Sequence, residues 1–501
     1  MLHETRSVTS ERRESCVRGS QTTSLRFYCL AMLWALALDP SAHETVAEEL
    51  PNIVVILADD LGYGETGMMG NREIPTPAID SLAASGVRCR AGYVTSSYCS
   101  PSRAGIFTGR YQSRFGYDLN PTGQRNLHPN AGLPLTEQTF VSRLQSVGYA
   151  TGLLGKWHLG SEGPKLPGAR GFDHFVGFTH EGHFFVPGPP WKRVQSFLRD
   201  KSLAPGERVR EGNVIRSNHA PINEPPYDAD NPLVKQSGAA PLQSWDTTTY
   251  LTDAITDEAV AFIRASSPGP FCAVVSYNAV HSPMQSLQTD LDSLKRIDDI
   301  QRRIFAGMLL ALDRGVKRIR EAIDDAGLTR RTLVVFLSDN GGPTKELTSS
   351  NAPLRDGKGS VYEGGLRVPM VWSMPGTLPS NHVEDRVILS LDIAATALEL
   401  AGVGVPDNYD GRSVLSFFGD PTAGHLHPSV YWRMTNGKAA FRDGDWKLVR
   451  PKRGQRFELY HLALDVAESR DLASSETSHL SRLVSLWSAM DAQMAAPITL
   501  R

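Results

Sequence analysis

Residues 53–64 read Ile53-Val54-Val55-Ile56-Leu57-Ala58-Asp59-Asp60-Leu61-Gly62-Tyr63-Gly64. The apolar run is unbroken rather than alternating, the pattern of a parallel strand covered on both faces. Phe271 to Tyr277 and Leu333 to Leu337 read the same way. Between these two lies a helix with Ile304, Met308, Leu312, Val316, Ile319 and Ile323 on one stripe, closed by Gly327. Such alternation predicts a doubly wound α/β sheet. The first strand runs into Asp59-Asp60, and the 333–337 strand runs into Ser338-Asp339-Asn340-Gly341-Gly342. Carboxylates straight after a buried strand are costly unless they are paired or hold a metal. Ligands of open α/β sheets sit outside the carboxyl ends of the strands, where both sets fall. Oxygen donors without His or Cys favour Ca²⁺ or Mg²⁺ over zinc, so Asp59, Asp60, Asp339 and Asn340 are the expected metal ligands.

Residues 99–110 read Cys-Ser-Pro-Ser-Arg-Ala-Gly-Ile-Phe-Thr-Gly-Arg. Pro101 suits the first turn of a helix, where its missing N–H costs nothing. Cys99 then sits at a helix N-terminus, which favours anions, and Arg103 lies one turn in. This stretch resembles the type I sulfatase family, in which the matching cysteine is oxidised to formylglycine. A thiolate attacking a sulfate ester would leave an adduct with no easy exit. The hydrated aldehyde carries two hydroxyls, one to attack sulfur and one to expel sulfate afterwards.

The resemblance runs from about residue 50 to 475. Gly148-Tyr149-Ala150-Thr151-Gly152-Leu153-Leu154-Gly155-Lys156-Trp157-His158 is similar to the family's second motif. It implies Lys156 as a cation for the sulfate oxygens and His158 as a partner of the formylglycine hydroxyl. Asn278-Ala279-Val280-His281-Ser282-Pro283 implies His281 as the group that protonates the leaving oxygen. Lys358, in the segment from Leu354 to Pro369, resembles the family's second sulfate-binding lysine. In the family the matching Asp, Asp, Asp and Asn hold a divalent cation, usually calcium, that also contacts the residue at Cys99. Thr179, His180 and His183 all remain candidates for one further sulfate contact. Glu65 stands where an aspartate is commoner, and Tyr98 precedes the key cysteine.

The implied fold is alkaline-phosphatase-like: a doubly wound, mixed or parallel sheet sandwiched by helices. After about residue 420 short aromatic runs with turns predict a smaller antiparallel-sheet subdomain, followed by a terminal helix from about Ser478. Residues 181–248, rich in Pro, Asn and charge, read as a long excursion over the active-site face. The apolar run 27–38, preceded by Arg18 and Arg26, fits a signal peptide and is too short for a membrane span. The polar stretch before it is long, so the true start is expected downstream of Met1. The expected division is 1–47 as leader, 48–420 as catalytic α/β domain and 421–501 as C-terminal α+β subdomain, in a secreted or periplasmic protein. Of five cysteines, Cys16 and Cys29 leave with the leader, so at most one disulfide is possible.

A formal charge of −2 gives no global field for nucleic acid or anionic membrane. The resemblance implies hydrolysis of sulfate esters, most readily on sulfated saccharides, and the charge balance then requires local cations to gather the substrate. A formylglycine-generating or maturase enzyme is the implied partner. Trp191, His180 and His183 are candidates to pack against a sugar, the alternative being that the loop aromatics only anchor the loop. The alternatives are a phosphate or phosphonate ester hydrolase of the same fold, and a silent binder of sulfated glycans.

Overall fold

The computed structural model describes residues 50–344 and 346–500; the expected signal peptide lies outside them. The described residues lie in one compact unit.

Ten strands form the large sheet: β1 (Asn52–Ala58), β2 (Val87–Cys89), β3 (Ala150–Lys156), β4 (His174–Phe178), β5 (Val234–Ser237), β6 (Gln243–Ser244), β7 (Phe271–Ser276), β8 (Thr332–Ser338), β9 (Met370–Ser373) and β10 (His382–Glu384). Their order is β6-β5-β4-β3-β7-β1-β8-β9-β2-β10. The central five, β4-β3-β7-β1-β8, are parallel, and antiparallel pairings flank them. β1 sits in the middle, with Val55 opposite Val274 on one side and Val335 on the other.

The unbroken apolar pattern of β1 has the expected cause. Val54, Ile56 and Ala58 enter one core with Ile255 and Ile304, while Ile53, Val55 and Leu57 enter another with Phe107 and Ile393. Helices α1 (Pro77–Ala84), α3 (Leu251–Ser266) and α4 (Ile300–Asp325) cover the first face. Helices α2 (Cys99–Thr108) and α5 (Asp392–Leu400) cover the second. The stripe from Ile304 to Ile323 is the buried face of α4. Gly155 is required where β3 approaches β7: its φ is +113°, and a Cβ there would lie 1.9 Å from Ser276 O.

Residues 181–248 differ from a bare excursion. Val194–Arg199, Val214–Ser217 and Arg208–Glu211 join Met284–Leu287 in a second, four-stranded sheet. Val194–Arg199 is buried throughout although it carries Gln195, Ser196 and Arg199. Its polar side chains find internal partners, as when Gln285 Nε2 donates to Ser196 Oγ at 2.9 Å. Burial satisfied by hydrogen bonds leaves no hydrophobic period to read.

The aromatic runs after residue 420 form a meander of β11 (Ser429–Arg433), β12 (Ala439–Asp443), β13 (Trp446–Arg450) and β14 (Glu458–His461). Helix α6 (Thr477–Asp491) follows. Trp432 and Leu459 share a core with Tyr93 and Leu366 of the larger part, and Trp432 Nε1 donates to Val94 O at 2.8 Å.

A buried ion cluster also joins the two parts. Lys447 Nζ lies 2.8 Å from Glu363 Oε1 and 2.9 Å from Glu468 Oε1, and all three side chains are fully buried. Removing the shared cation strands two carboxylates in a low dielectric. Lys447→Met is therefore expected to cost about 3–5 kcal/mol in urea unfolding, the usual penalty for breaking a buried pair.

Candidate active site

The parallel register puts the polar ends of four strands side by side. Ala58 pairs with Ser338, so Asp59-Asp60 and Asp339-Asn340 emerge together. Asp59 N donates to Ala279 O and Val280 N to Asp59 O, at 2.9 and 2.7 Å, which brings in the loop carrying His281. β3 ends in Lys156 and leads to His158. Cys99 is the first residue of α2, with Tyr98 as its N-cap. Lys358 arrives from a long loop whose backbone bonds Gly342 O.

Three buried carboxylates each receive one cation. Lys156 Nζ donates to Asp59 Oδ2 at 2.6 Å, Lys358 Nζ to Asp60 Oδ2 at 2.7 Å, and Arg103 Nε to Asp339 Oδ2 at 2.9 Å. Burial would raise Asp60, but Lys358 and His281 outweigh it and hold the carboxyl below its usual range. Burial, followed by repulsion from Asp59, pushes Asp339 up to about 6 against Arg103 and Lys156. The Cys99 thiol lies 3.5 Å from Asp59 Oδ1. Burial raises it well beyond the ordinary thiol range despite Lys156 and Lys358.

Asp59, Asp60, Cys99 and Asp339 offer ligand atoms within 4.8 Å of one another. Asn340 Nδ2 donates to Asp60 Oδ1 at 2.7 Å, yet its own Oδ1 is buried without a partner. An orphaned amide oxygen beside three carboxylates fits a hard cation.

Both histidines are held neutral. His158 Nε2 bonds Pro121 O at 2.8 Å, and Nδ1 is buried without a partner. Burial, then Lys156, keeps the ring far below its ordinary range. His281 Nδ1 donates to Ser282 O at 2.5 Å, so its Nε2 faces Asp60 Oδ2 at 3.7 Å. Burial and Lys358 lower it as well. Asp60 and His158 adopt left-handed backbone with φ of 62° and 58°. Each conformation costs of order 1 kcal/mol and needs surrounding structure to hold it.

Cys99, Arg103, Lys156, His158, His281, Lys358 and the four proposed oxygen ligands thus converge on one buried centre. Other residues support it without a local signal in the sequence. Ser276 Oγ accepts from Arg103 Nη1 at 2.6 Å and donates to Lys156 O at 2.7 Å. Asn351 bonds Tyr63 N, Gly342 N, Gly342 O and Asp356 O, fixing the loop of Lys358. Position alone hinted at Ser276, the last residue of a buried strand. Asn351 sits in a loop and becomes informative only in three dimensions.

Among the remaining candidates, Thr179 N and His180 N both donate to Asn231 Oδ1. His183 is turned away, with Nδ1 on Phe184 O and Nε2 3.7 Å from Asp228. Trp191 is no sugar platform: its Nε1 donates to Val186 O and its ring packs on Phe184 at 4.9 Å. It anchors its own loop. Cys89, Cys99 and Cys272 are all buried and unpaired.

A family model described as Sulfatase matches residues 51–403. The chain belongs to the sulfatase family. As a sulfatase it hydrolyses sulfate esters. A second model, N-sulphoglucosamine sulphohydrolase, C-terminal, matches residues 356–493. The sulfatase is similar to arylsulfatase A of Bos taurus, at 33% identity over 83% of this chain and 77% of the relative. It also resembles the crystal structure of Ps i-CgsB, at 32% identity and a TM-score of 0.75 over 90% of this chain and 94% of the other. The same protein in complex with k-i-k-neocarrahexaose gives 31% identity and a TM-score of 0.74 over the same shares.

The one-to-one ion pairing gives a direct test of the sulfatase's centre. Arg103→Met should cost about 3–5 kcal/mol in chemical unfolding because it leaves Asp339 buried without its cation. Adding Asp339→Asn should recover part of that loss, and a double-mutant cycle measures the coupling.

Proposed function

We propose that this sulfatase acts through a formylglycine made from Cys99 and one Ca²⁺ ion, on the sulfate esters of saccharides. The observation that carries the formylglycine reading is the buried thiol 3.5 Å from a carboxylate. Such a thiol stays protonated and cannot serve as the nucleophile as it stands. Asp59, Asp60, Asp339 and Asn340 would hold the cation, with the modified residue 99 beside it. The formylglycine supplies a hydroxyl nucleophile, and the cation supplies positive charge next to the sulfate oxygens.

The chain's own residues do the rest. Lys156 and Lys358 face the sulfate with two ammonium groups, and Arg103 steadies Asp339. His158 offers the free lone pair of Nδ1 to a hydroxyl at residue 99. His281 presents Nε2 to the leaving oxygen. Its imidazole is neutral with the site's own charges, so the negative sulfate must raise its basicity before it can deliver a proton. Burial of the whole cluster excludes water and strengthens each of these interactions.

A saccharide is favoured by the cavity of about 400 Å³ beside Lys358. Its lining has Lys358, Lys438, His219, Glu346, Thr344 and Ser360 but no Phe, Tyr or Trp. Flat apolar alcohols prefer an apolar slot; a polyol prefers this lining. The neighbour bound to k-i-k-neocarrahexaose supports the same class. We assign residues 48–420 to catalysis and 421–501 to a supporting subdomain, matured by a formylglycine-generating enzyme and exported by the 27–38 run. Among the described residues no helix is long and apolar enough to cross a membrane.

Conversion of Cys99 removes about 18 Da, so intact mass of the Cys99 peptide reads it directly. Cys99→Ala should fold and lose nearly all turnover, while Cys89→Ala keeps it. Unmodified Cys99 in a fully active enzyme would refute the reading. For the cation, chelation should lower the melting temperature and the rate together, by about 2.7 kcal/mol of stability at a hundredfold excess over Kd. Asp339→Ala should abolish that response, and a chelator-indifferent melting curve would count against the site.

His281 separates substrates by leaving group. His281→Ala should lose about 10²–10⁴-fold in kcat/KM on a sulfated sugar, the usual worth of general acid catalysis. The loss on nitrophenyl sulfate should be much smaller, because that phenolate departs without a proton. Equal losses would withdraw the acid role.

A further inference from the structure

The cavity beside Lys358 contains a second lysine that the mechanism does not use. Lys438, from the turn between β11 and β12, lines it with Lys358, Gly359, His219 and Glu346. Its Nζ donates to Gly359 O at 2.6 Å. An ammonium has three donors, so this tether leaves two for a ligand. Among the described residues no carboxylate pairs with Lys438.

Of the cavity's other charges, Lys358 and Glu346 are paired, and Asp356 is bonded only by a hydroxyl. Lys358 pairs with Asp60 at 2.7 Å. Glu346 binds Arg199 at 2.5 Å and accepts from Ser282 Oγ at 3.2 Å. Asp356, at the rim, accepts from Ser360 Oγ at 3.1 Å. His219 Nδ1 bonds Ser217 O at 3.1 Å, leaving Nε2 for a hydroxyl. Of the cavity's two lysines, Lys438 is the one without a carboxylate partner among the described residues.

The cavity also adjoins the loop that carries His281. Glu346 forms its wall and holds Ser282, the neighbour of His281. On the mechanism proposed above, the alcohol that leaves from between His281 and Lys358 would enter this space. A saccharide placed there brings its neighbouring substituents to Lys438.

We propose that Lys438 is a specificity-determining residue that binds a second anionic group, a sulfate or a carboxylate, on the saccharide whose ester is cleaved. This deepens the saccharide reading and rests on it. The chemistry required is an oxyanion within reach of the sugar position that carries the scissile sulfate. A partly exposed ammonium with spare donors recognises such a group through charge-assisted hydrogen bonds.

The test measures kcat and KM for the parent, Lys438→Ala and Lys438→Arg. The probes are 4-nitrophenyl sulfate and galactan, fucan and glycosaminoglycan oligosaccharides. Each oligosaccharide is supplied with one sulfate per repeat, with a second sulfate, and with one sulfate plus a uronic carboxylate. The parent should prefer one of the doubly anionic forms, which identifies the oxyanion. On that form Lys438→Ala should raise KM about tenfold with kcat nearly unchanged, and Lys438→Arg should keep most of the affinity. Singly sulfated probes and nitrophenyl sulfate should change by less than about twofold. A parent indifferent to the second anion would overturn the proposal. So would an equal loss on every probe, which would make Lys438 only a tether for the loop of Lys358. If nitrophenyl sulfate were cleaved and no oligosaccharide were, the saccharide reading would fall and Lys438's role with it.

Discussion

Three carboxylates stand in a space closed to water, and most of the molecule's architecture follows from keeping them there. Asp59, Asp60 and Asp339 are at most 2% exposed. A bare carboxylate in such surroundings would simply take up a proton. Each is instead matched by one cation, and the three cations come from three separate segments: helix α2, the end of β3 and the 351–362 loop. The pairing makes the site a meeting point of the whole fold. It also explains why the parallel centre of the sheet is continuous: only adjacent strands in register deliver Asp59 and Asp339 to the same spot.

That arrangement is balanced for pairing but not fully satisfied. Arg103 Nη2, His158 Nδ1 and Asn340 Oδ1 are buried and unpartnered among the described residues. Unmet polar groups in a core cost stability, and all three surround Cys99 and the carboxylates. Left-handed backbone at Asp60 and His158 adds to the cost. At this centre the unpartnered atoms stand next to candidate metal ligands and a candidate nucleophile, where an incoming cation or anion could satisfy them.

The sheet and the centre were readable from the sequence to different depths. β1, β7 and β8 were legible because both faces are buried, so their apolar runs are unbroken, and α4 because its stripe has a clean helical period. The acidic pairs were legible because carboxylates after such strands demand an explanation. Lys156, His158, His281 and Lys358 carried no physical signal of their own; only the motifs around them did. The second sheet was missed because its buried strand hides polar side chains such as Gln195 and Ser196. Trp191 was ambiguous for the opposite reason: an aromatic in a polar loop reads equally as a binding surface or a loop anchor, and here it packs against Phe184.

The division of labour between these parts follows from what each kind of residue can tolerate. Side chains that pair within the sheet's polar end have every contact fixed, so changing one disturbs the rest. Residues lining the outer cavity come from the 181–248 segment, the loops of Glu346 and Lys358 and the turn before β12. His219 and Lys438 can change without unpairing Asp59, Asp60 or Asp339. Chemistry is therefore locked to the fold, while recognition sits on segments that the fold merely carries. A turn of the C-terminal sheet reaches the cavity because the Lys447 cluster and Trp432 clamp that sheet beside Glu363 and Val94. The subdomain's stability is thus part of substrate selection: whatever loosens that clamp moves Lys438 relative to Lys358.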